Sequence, residues 1–215
     1  MFFGPLLLLF RDPLAFLVEV VSLLFGMVLH NMVQAALADW LGDGSARRSG
    51  FLRTDPQTHF DLFSLLWYFL IGFLLPRSIP LNARSLRGRE RSAAWVWLSG
   101  VLTLLVWALV LLLLAQLIAT GLPGLAAVVV GLSGGASQAV IQAVIFLVPL
   151  PMLDGGKALY AVGSFSVRRA LDQLSQAGPW VILILFLLLS LTGVLQLIST
   201  AILGGIYHLI GGLAL

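Results

Sequence analysis

Long runs of apolar residues, separated by short charged segments, decide what this 215-residue chain can fold into. A helix needs about 20 apolar residues to cross the hydrocarbon layer of a bilayer. The runs at 13–38, 93–119 and 125–150 are long enough, and a last run predicts a span at about 180–200, as one helix with an interfacial piece or as two helices. Only 10% of the residues are charged, against about a quarter in soluble domains. The chain is therefore predicted to be a single all-α, polytopic membrane domain covering 1–215.

The positive charge of the chain fits lipid better than nucleic acid. The net charge is +3 and the isoelectric point is near 10.0. The arginines lie in short segments between the apolar runs, where lipid headgroups and the positive-inside rule account for them. We therefore expect the lipid bilayer as a partner and no nucleic acid. Cysteine is absent, which excludes disulfides and cysteine-ligated metals.

The segment 62–75 is mostly apolar but has only 14 residues, which is too short for an ordinary span. If it enters the membrane and returns, eleven of the 12 Lys and Arg residues lie on one side, in 39–92 and 154–173. If it crosses, the division becomes nine against three. The positive-inside rule favours the first arrangement. We predict a re-entrant 62–75, with 39–92 and 154–173 in the cytoplasm.

The loop 39–61 contains GDGSARRSGFLRTDP, which is rich in Gly, Ser and Asp. Short alternation of apolar and polar residues around 48–54 is typical of strands that turn sharply. We predict a small β-hairpin at the membrane surface here.

Polar residues recur along one face of the first predicted helix. Their spacing of three or four residues places them on one side of a helix, and Asn31 lies about 100° from His30. Polar groups inside a span usually face the interior of the bundle. Such a polar face has two explanations: packing between helices, or a functional site inside the bundle. The residues are Glu19, Ser22, Gly26, His30 and Gln34.

The third predicted helix carries a matching face and ends in a break. Pro149 and Pro151 end the helix, and a glycine pair follows Asp154. Broken backbone at membrane depth is tolerated only inside protein or beside a wet cavity. Asp154 is therefore the acidic residue most suggestive of a site. The matching face comprises Gly131, Gly135, Gln138, Gln142 and Phe146.

Two separated motifs resemble those of the site-2 protease family of intramembrane zinc metalloproteases. They are LHNMVQAALADWLGDGSARRSGFLRTDPQTHFD and FLVPLPMLDGGKAL. In that family an H-E-x-x-H supplies two zinc ligands and a general base, and an L-D-G supplies the third ligand. The resemblance places His30 at the first His, Asn31 at the Glu, Gln34 at the second His and Asp154 at the Asp. It implies a site-2-protease-like helical bundle.

Several chemical positions of the family differ in this chain. An amide cannot act as a general base, and the neutral amide of Gln34 is a poor zinc ligand. Phe146 stands where the family usually has an Asn. We therefore expect zinc to be absent or substoichiometric, and Asp154 to hydrogen-bond His30, Gln34 or Lys157. The other candidates, Glu19, His59 and His208, are not expected to complete the site.

The sequence is thus interpreted as a family member that has lost peptidase activity. We expect it to bind a transmembrane or membrane-proximal segment of a partner in a groove lined by Phe146, Pro149, Pro151 and Phe51. One alternative is an active zinc-dependent intramembrane endopeptidase with an altered or engineered site. Another is a small transporter, with Glu19, Gln138 and Gln142 along a polar path. The expected location is the cytoplasmic membrane of a prokaryote, with the site remnants facing the cytoplasm.

Overall fold

The computed structural model describes residues 5–213. Within this range the protein is helical and contains no β-strand. Short 3₁₀ turns at Ala83–Ser85 and Pro123–Leu125 precede or join longer helices. The α-helices are α1 (Leu6–Arg11), α2 (Pro13–Trp40), α3 (Ser45–Arg48), α4 (Pro56–His59), α5 (Leu62–Ile71), α6 (Arg89–Gly121), α7 (Ala126–Leu147), α8 (Asp154–Val162), α9 (Phe165–Gln176), α10 (Pro179–Leu191) and α11 (Val194–Leu213).

Four of the described helices are long and apolar enough to cross a membrane. They are α2, α6, α7 and the Val194–Gly211 part of α11. The last of these differs from the span predicted at 180–200, because the chain breaks between α10 and α11. Gly193 adopts a φ of +75° at the break, a conformation that glycine adopts readily. This stretch holds two helices, of which α11 contains a candidate span, so both alternatives for it stay open.

Helices α2, α6 and α7 pack against one another and form the centre of the bundle. Gly26 of α2 lies against the ring of Trp107, whose Nε1 donates a hydrogen bond to the carbonyl of Ser22 at 2.8 Å. Gly135 of α7 lies against Ser22 as well. Small residues let helix backbones approach closely. The first half of the polar face on α2 is therefore a packing surface.

The predicted hairpin in 39–61 is wrong, because this segment forms α3 and α4 joined by turns. Asp43 accepts a hydrogen bond from the backbone N–H of Ser45 at 3.1 Å, and Asp55 caps α4 through the N–H of Gln57 at 3.2 Å. The short polar residues thus begin helices here. Phe51, which lies between α3 and α4, is buried in a small apolar cluster.

Helix α5 has 10 residues, too few to span a bilayer alone. Asp61 and Ser64 form a capping box at its start, and Gly72 ends it with a φ of +76°. Irregular chain then continues to Asn82. The re-entrant path of 62–75 stays a prediction.

Asp43 joins the end of α2 to the chain that leads into α6. Its Oδ2 accepts a hydrogen bond from the N–H of Asn82 at 2.5 Å. Burial alone would raise the pKa of this carboxyl, but the hydrogen bonds from Asn82 and Ser45 and the charge of Arg48 lower the pKa below its usual value. A backbone hydrogen bond of 2.8 Å from Arg87 to Leu41 closes the same junction.

Candidate functional site, a metalloprotease-like cleft

The break after α7 determines where Asp154 lies. Gly155 and Gly156 sit directly on the carbonyls of Leu147 and Leu150, where a Cβ atom would overlap them. Only glycine allows this approach. Helix α8 therefore begins close under α7, with Asp154 as its first residue.

Asp154 meets the polar face of α2 at His30 and Gln34. His30 Nε2 lies 2.7 Å from Asp154 Oδ2, and Gln34 Nε2 donates to the same oxygen at 2.9 Å. Gln34 Nε2 also donates to the carbonyl of Trp97 at 3.0 Å. The expected hydrogen bonds from Asp154 to His30 and Gln34 are confirmed. All three side chains are buried.

Both ring nitrogens of His30 face oxygen atoms. Nδ1 lies 3.0 Å from Asn31 Oδ1, and the other amide atom of Asn31, Nδ2, donates to the carbonyl of Arg77 at 3.0 Å. A ring nitrogen this close to an oxygen is within hydrogen-bond distance of it. The ring of His30 is thus held between Asp154 and Asn31.

Lys157 places its ammonium group next to Asp154, one turn further along α8. Its Nζ lies 3.8 Å from Asp154 Oδ1 and donates to Ser78 Oγ at 2.8 Å. The same group lies 4.6 Å from the centre of the Trp97 ring. Burial lowers the pKa of Lys157, and the charge of Asp154 opposes this effect.

A cleft opens beside these residues. It is lined by Phe146, whose ring centre lies 5.1 Å from that of His30, by Met152 and by the chain at 75–78.

Phe146 is the groove residue from the sequence prediction that lines this cleft. Pro149 and Pro151 lie in the break before α8 and are not among the residues that line the cleft. Phe51 is packed away from the cleft, with its ring edge-on to His59 at 5.6 Å between centres.

The structure does not bring other candidate ligands to Asp154. Glu19 is buried beside Gln138, to which it is hydrogen-bonded, and His59 Nε2 bonds the carbonyl of Arg53 at 2.7 Å. His208 is exposed on α11. Among residues 5–213, no group of three or more His, Cys, Asp or Glu residues is placed to hold a metal.

The residues present do not fit a catalytic zinc ion. Such an ion usually takes three strong protein ligands and keeps one position open. Here His30 and Asp154 are the two residues that could act as strong zinc ligands, and they are hydrogen-bonded to each other. The third member of the cluster, Gln34, points an N–H at the carboxylate.

Sequence reasoning missed the chain at 75–78 and the ring of Trp97. Arg77 contacts Asn31 through its backbone carbonyl, and a backbone contact cannot be predicted from the residue type. Pro76 was visible as the end of an apolar run, but nothing indicated that the following residues return to α2.

The four long apolar helices are compatible with an integral membrane protein, and the cleft brings together His30, Gln34 and Asp154 from separate parts of the chain. Over 172 residues the chain is 30% identical to a protein of Bacillus subtilis (strain 168) named "Putative zinc metalloprotease YwhC", covering 78% of each chain. The chain belongs to the family of that protein, a site-2-protease-like family, and the relative points to a bacterial origin. No protein-family model matches the chain, and no solved structure matches it.

Proposed function

We propose that this protein has lost peptidase activity and binds a transmembrane or membrane-proximal segment of a partner in the cleft. The observation that carries this proposal is the hydrogen bond of 2.7 Å between His30 and Asp154. To bind a metal together, both groups would have to give up this contact with each other. In this proposal the remnant of the metal site joins α2 to α8 through a buried hydrogen bond.

Asn31 supports the same conclusion. A hydrolytic enzyme needs a group that removes a proton from water at this position. The amide of Asn31 does not titrate, and it is engaged on both sides by His30 and Arg77. Its function in this proposal is to hold peptide backbone.

The walls of the cleft suit a peptide. Phe146 and Met152 give an apolar surface, while Asn31 and Lys157 give hydrogen-bond donors. An extended peptide offers carbonyl groups to such donors and side chains to the apolar wall. We place the cleft on the cytoplasmic side of a prokaryotic cytoplasmic membrane, because this puts eleven of the 12 basic residues inside.

Site-specific photocrosslinking in native membranes tests the proposal. The probe is a diazirine residue in place of Met152, which lines the cleft and is 38% exposed. The matched control replaces Leu117, which is 67% exposed on α6. We expect discrete protein adducts from position 152 and lipid adducts from position 117.

Two results would reject the proposal. Lipid adducts alone from both positions would leave the cleft without a partner. Cleavage of a captured partner that stops in a His30→Ala variant would show an active endopeptidase, the alternative suggested by the name of the Bacillus relative.

A further inference from the structure

The chain between α5 and α6 forms part of the wall of the cleft. Residues 75–78, called here the cleft segment, lie between two buried residues, Leu74 at 0% exposure and Ile79 at 3%. These two residues belong to different apolar clusters. The cleft segment is thus held at both ends, while Arg77 and Ser78 themselves are exposed.

The groups that hold the cleft segment are those that surround Asp154. Asn31 Nδ2 donates to the carbonyl of Arg77 at 3.0 Å. Lys157 Nζ donates to Ser78 Oγ at 2.8 Å. On its outer side, the N–H of Arg77 donates to the carbonyl of His59 at 2.7 Å.

These contacts are those an extended peptide would make. The carbonyl of Arg77 accepts a hydrogen bond from an amide, and the next residue contacts an ammonium group. The N–H of Arg77 donates to a backbone carbonyl of the loop before α5. A second peptide cannot use the same donors and the same space while the cleft segment remains. Binding of the cleft segment and binding of a partner peptide to these donors therefore exclude each other.

We propose that the cleft segment, which forms part of the cleft wall, occupies the hydrogen-bond donors Asn31 and Lys157 in place of the partner, which must displace it to bind. This inference rests on the proposed function. It identifies the ligand as an extended peptide with a carbonyl opposite Asn31 and a hydroxyl or carbonyl opposite Lys157. It also makes Asn31 a positioning residue for peptide backbone.

Crosslinking measures the position of the cleft segment. The chain has no cysteine, so Ser78→Cys with Lys157→Cys creates a defined pair. A reducible bifunctional thiol reagent is added to native membranes. The control pair is Ser78→Cys with Ser164→Cys, which lies beyond the far end of α8. We expect the 78/157 pair to be linked about tenfold faster than the control, as for a contact that is occupied most of the time.

Release of the cleft segment gives a second measure. Asn31→Ala removes the donor to Arg77, and Ser22→Ala truncates a buried polar residue on the same helix, away from the cleft. We expect Asn31→Ala to slow the 78/157 link and Ser22→Ala to leave it unchanged. Equal rates for the 78/157 and control pairs, or no effect of Asn31→Ala, would overturn binding of the cleft segment to these donors.

Competition is measured by adding the photoprobe at position 152 to the 78/157 pair. Linking should lower partner adducts about tenfold, and reduction of the linker should restore them. Unchanged adducts after linking would overturn the inference while the proposed function stands. Absence of partner adducts in every variant, including Asn31→Ala, would reject the proposed function and the competition with it.

Discussion

His30 Nε2 and Asp154 Oδ2 lie 2.7 Å apart, although 124 residues separate them in the chain. The bond joins the second half of α2 to the first residue of α8. Both atoms must therefore lie at the same depth in the bundle. An even number of membrane crossings between them satisfies this, and the predicted re-entrant path of 62–75, with α6 and α7 crossing, gives an even number.

The loops on either side of α5 are expected to face the same compartment. Single Ser49→Cys and Ser85→Cys variants should react with a membrane-impermeant maleimide from one side only, and from the same side. The contact of Asp43 with Asn82 gives the physical reason, since it joins the two loops directly. Both serines are exposed. Labelling from opposite sides would contradict the re-entrant path of 62–75.

Zinc is expected at well below one ion per chain after a mild chelator wash, measured by elemental analysis. Gln34→His restores a third strong ligand on the face of α2 that meets Asp154, and should raise zinc retention toward one ion per chain. Gln138→His, on α7 and away from Asp154, is the control and should not. Full zinc occupancy in the unchanged protein would contradict the proposed loss of the metal site.

Gly100 is expected to be intolerant of a methyl group. A Cβ there would overlap Gln34 Nε2 and the ring of His30. Gly100→Ala should lower the free energy of unfolding by about 1–3 kcal/mol, the usual cost of overpacking. Gly121→Ala, at the end of the same helix, meets nothing within 4 Å and should change it by less than about 0.5 kcal/mol. Thermal unfolding in detergent measures both, and equal midpoints would place Gly100 outside the cluster.

Asp43 is expected to stabilise the folded protein at neutral pH but not in acid. Its pKa is lowered in the folded state, so the unfolded chain binds the proton more readily and stability rises with pH. The contribution is present above the unfolded pKa of about 3.9 and is lost as the pH falls through the lower, folded pKa. The unfolding midpoint of Asp43→Asn should therefore lie below that of the unchanged protein at pH 7. The gap should narrow as the pH falls below the unfolded pKa, and a gap that widens in acid would contradict this.

The helical bundle could be predicted because the bilayer sets a minimum length for each span. Residue spacing also predicted that His30 and Gln34 share a face, since α-helical geometry fixes it. The position of Asp154 opposite them came from the family resemblance, because no periodicity joins residues on separate helices. The structure then supplied the distances.

The predicted hairpin failed because alternation over a few residues is a weak signal. Ala46 and Phe51 are both buried, at a spacing that fits a helical turn followed by a bend. Asp43 hydrogen-bonds the first residue of α3, and Asp55 caps α4. The cleft segment could not be predicted, because backbone carbonyls carry its contacts with α2.

The shared oxygen of Asp154 also restricts how this sequence can change over generations. If Gln34 or His30 were replaced by an apolar residue, the buried carboxylate would lose a donor and the fold would be weakened. If Asp154 were replaced first, His30 Nε2 would lose its oxygen partner and Gln34 Nε2 would keep only the carbonyl of Trp97. A change at one of the three positions thus makes the remaining residues less stable in the fold. The three residues are preserved by this mutual dependence, whatever chemistry the cleft performs.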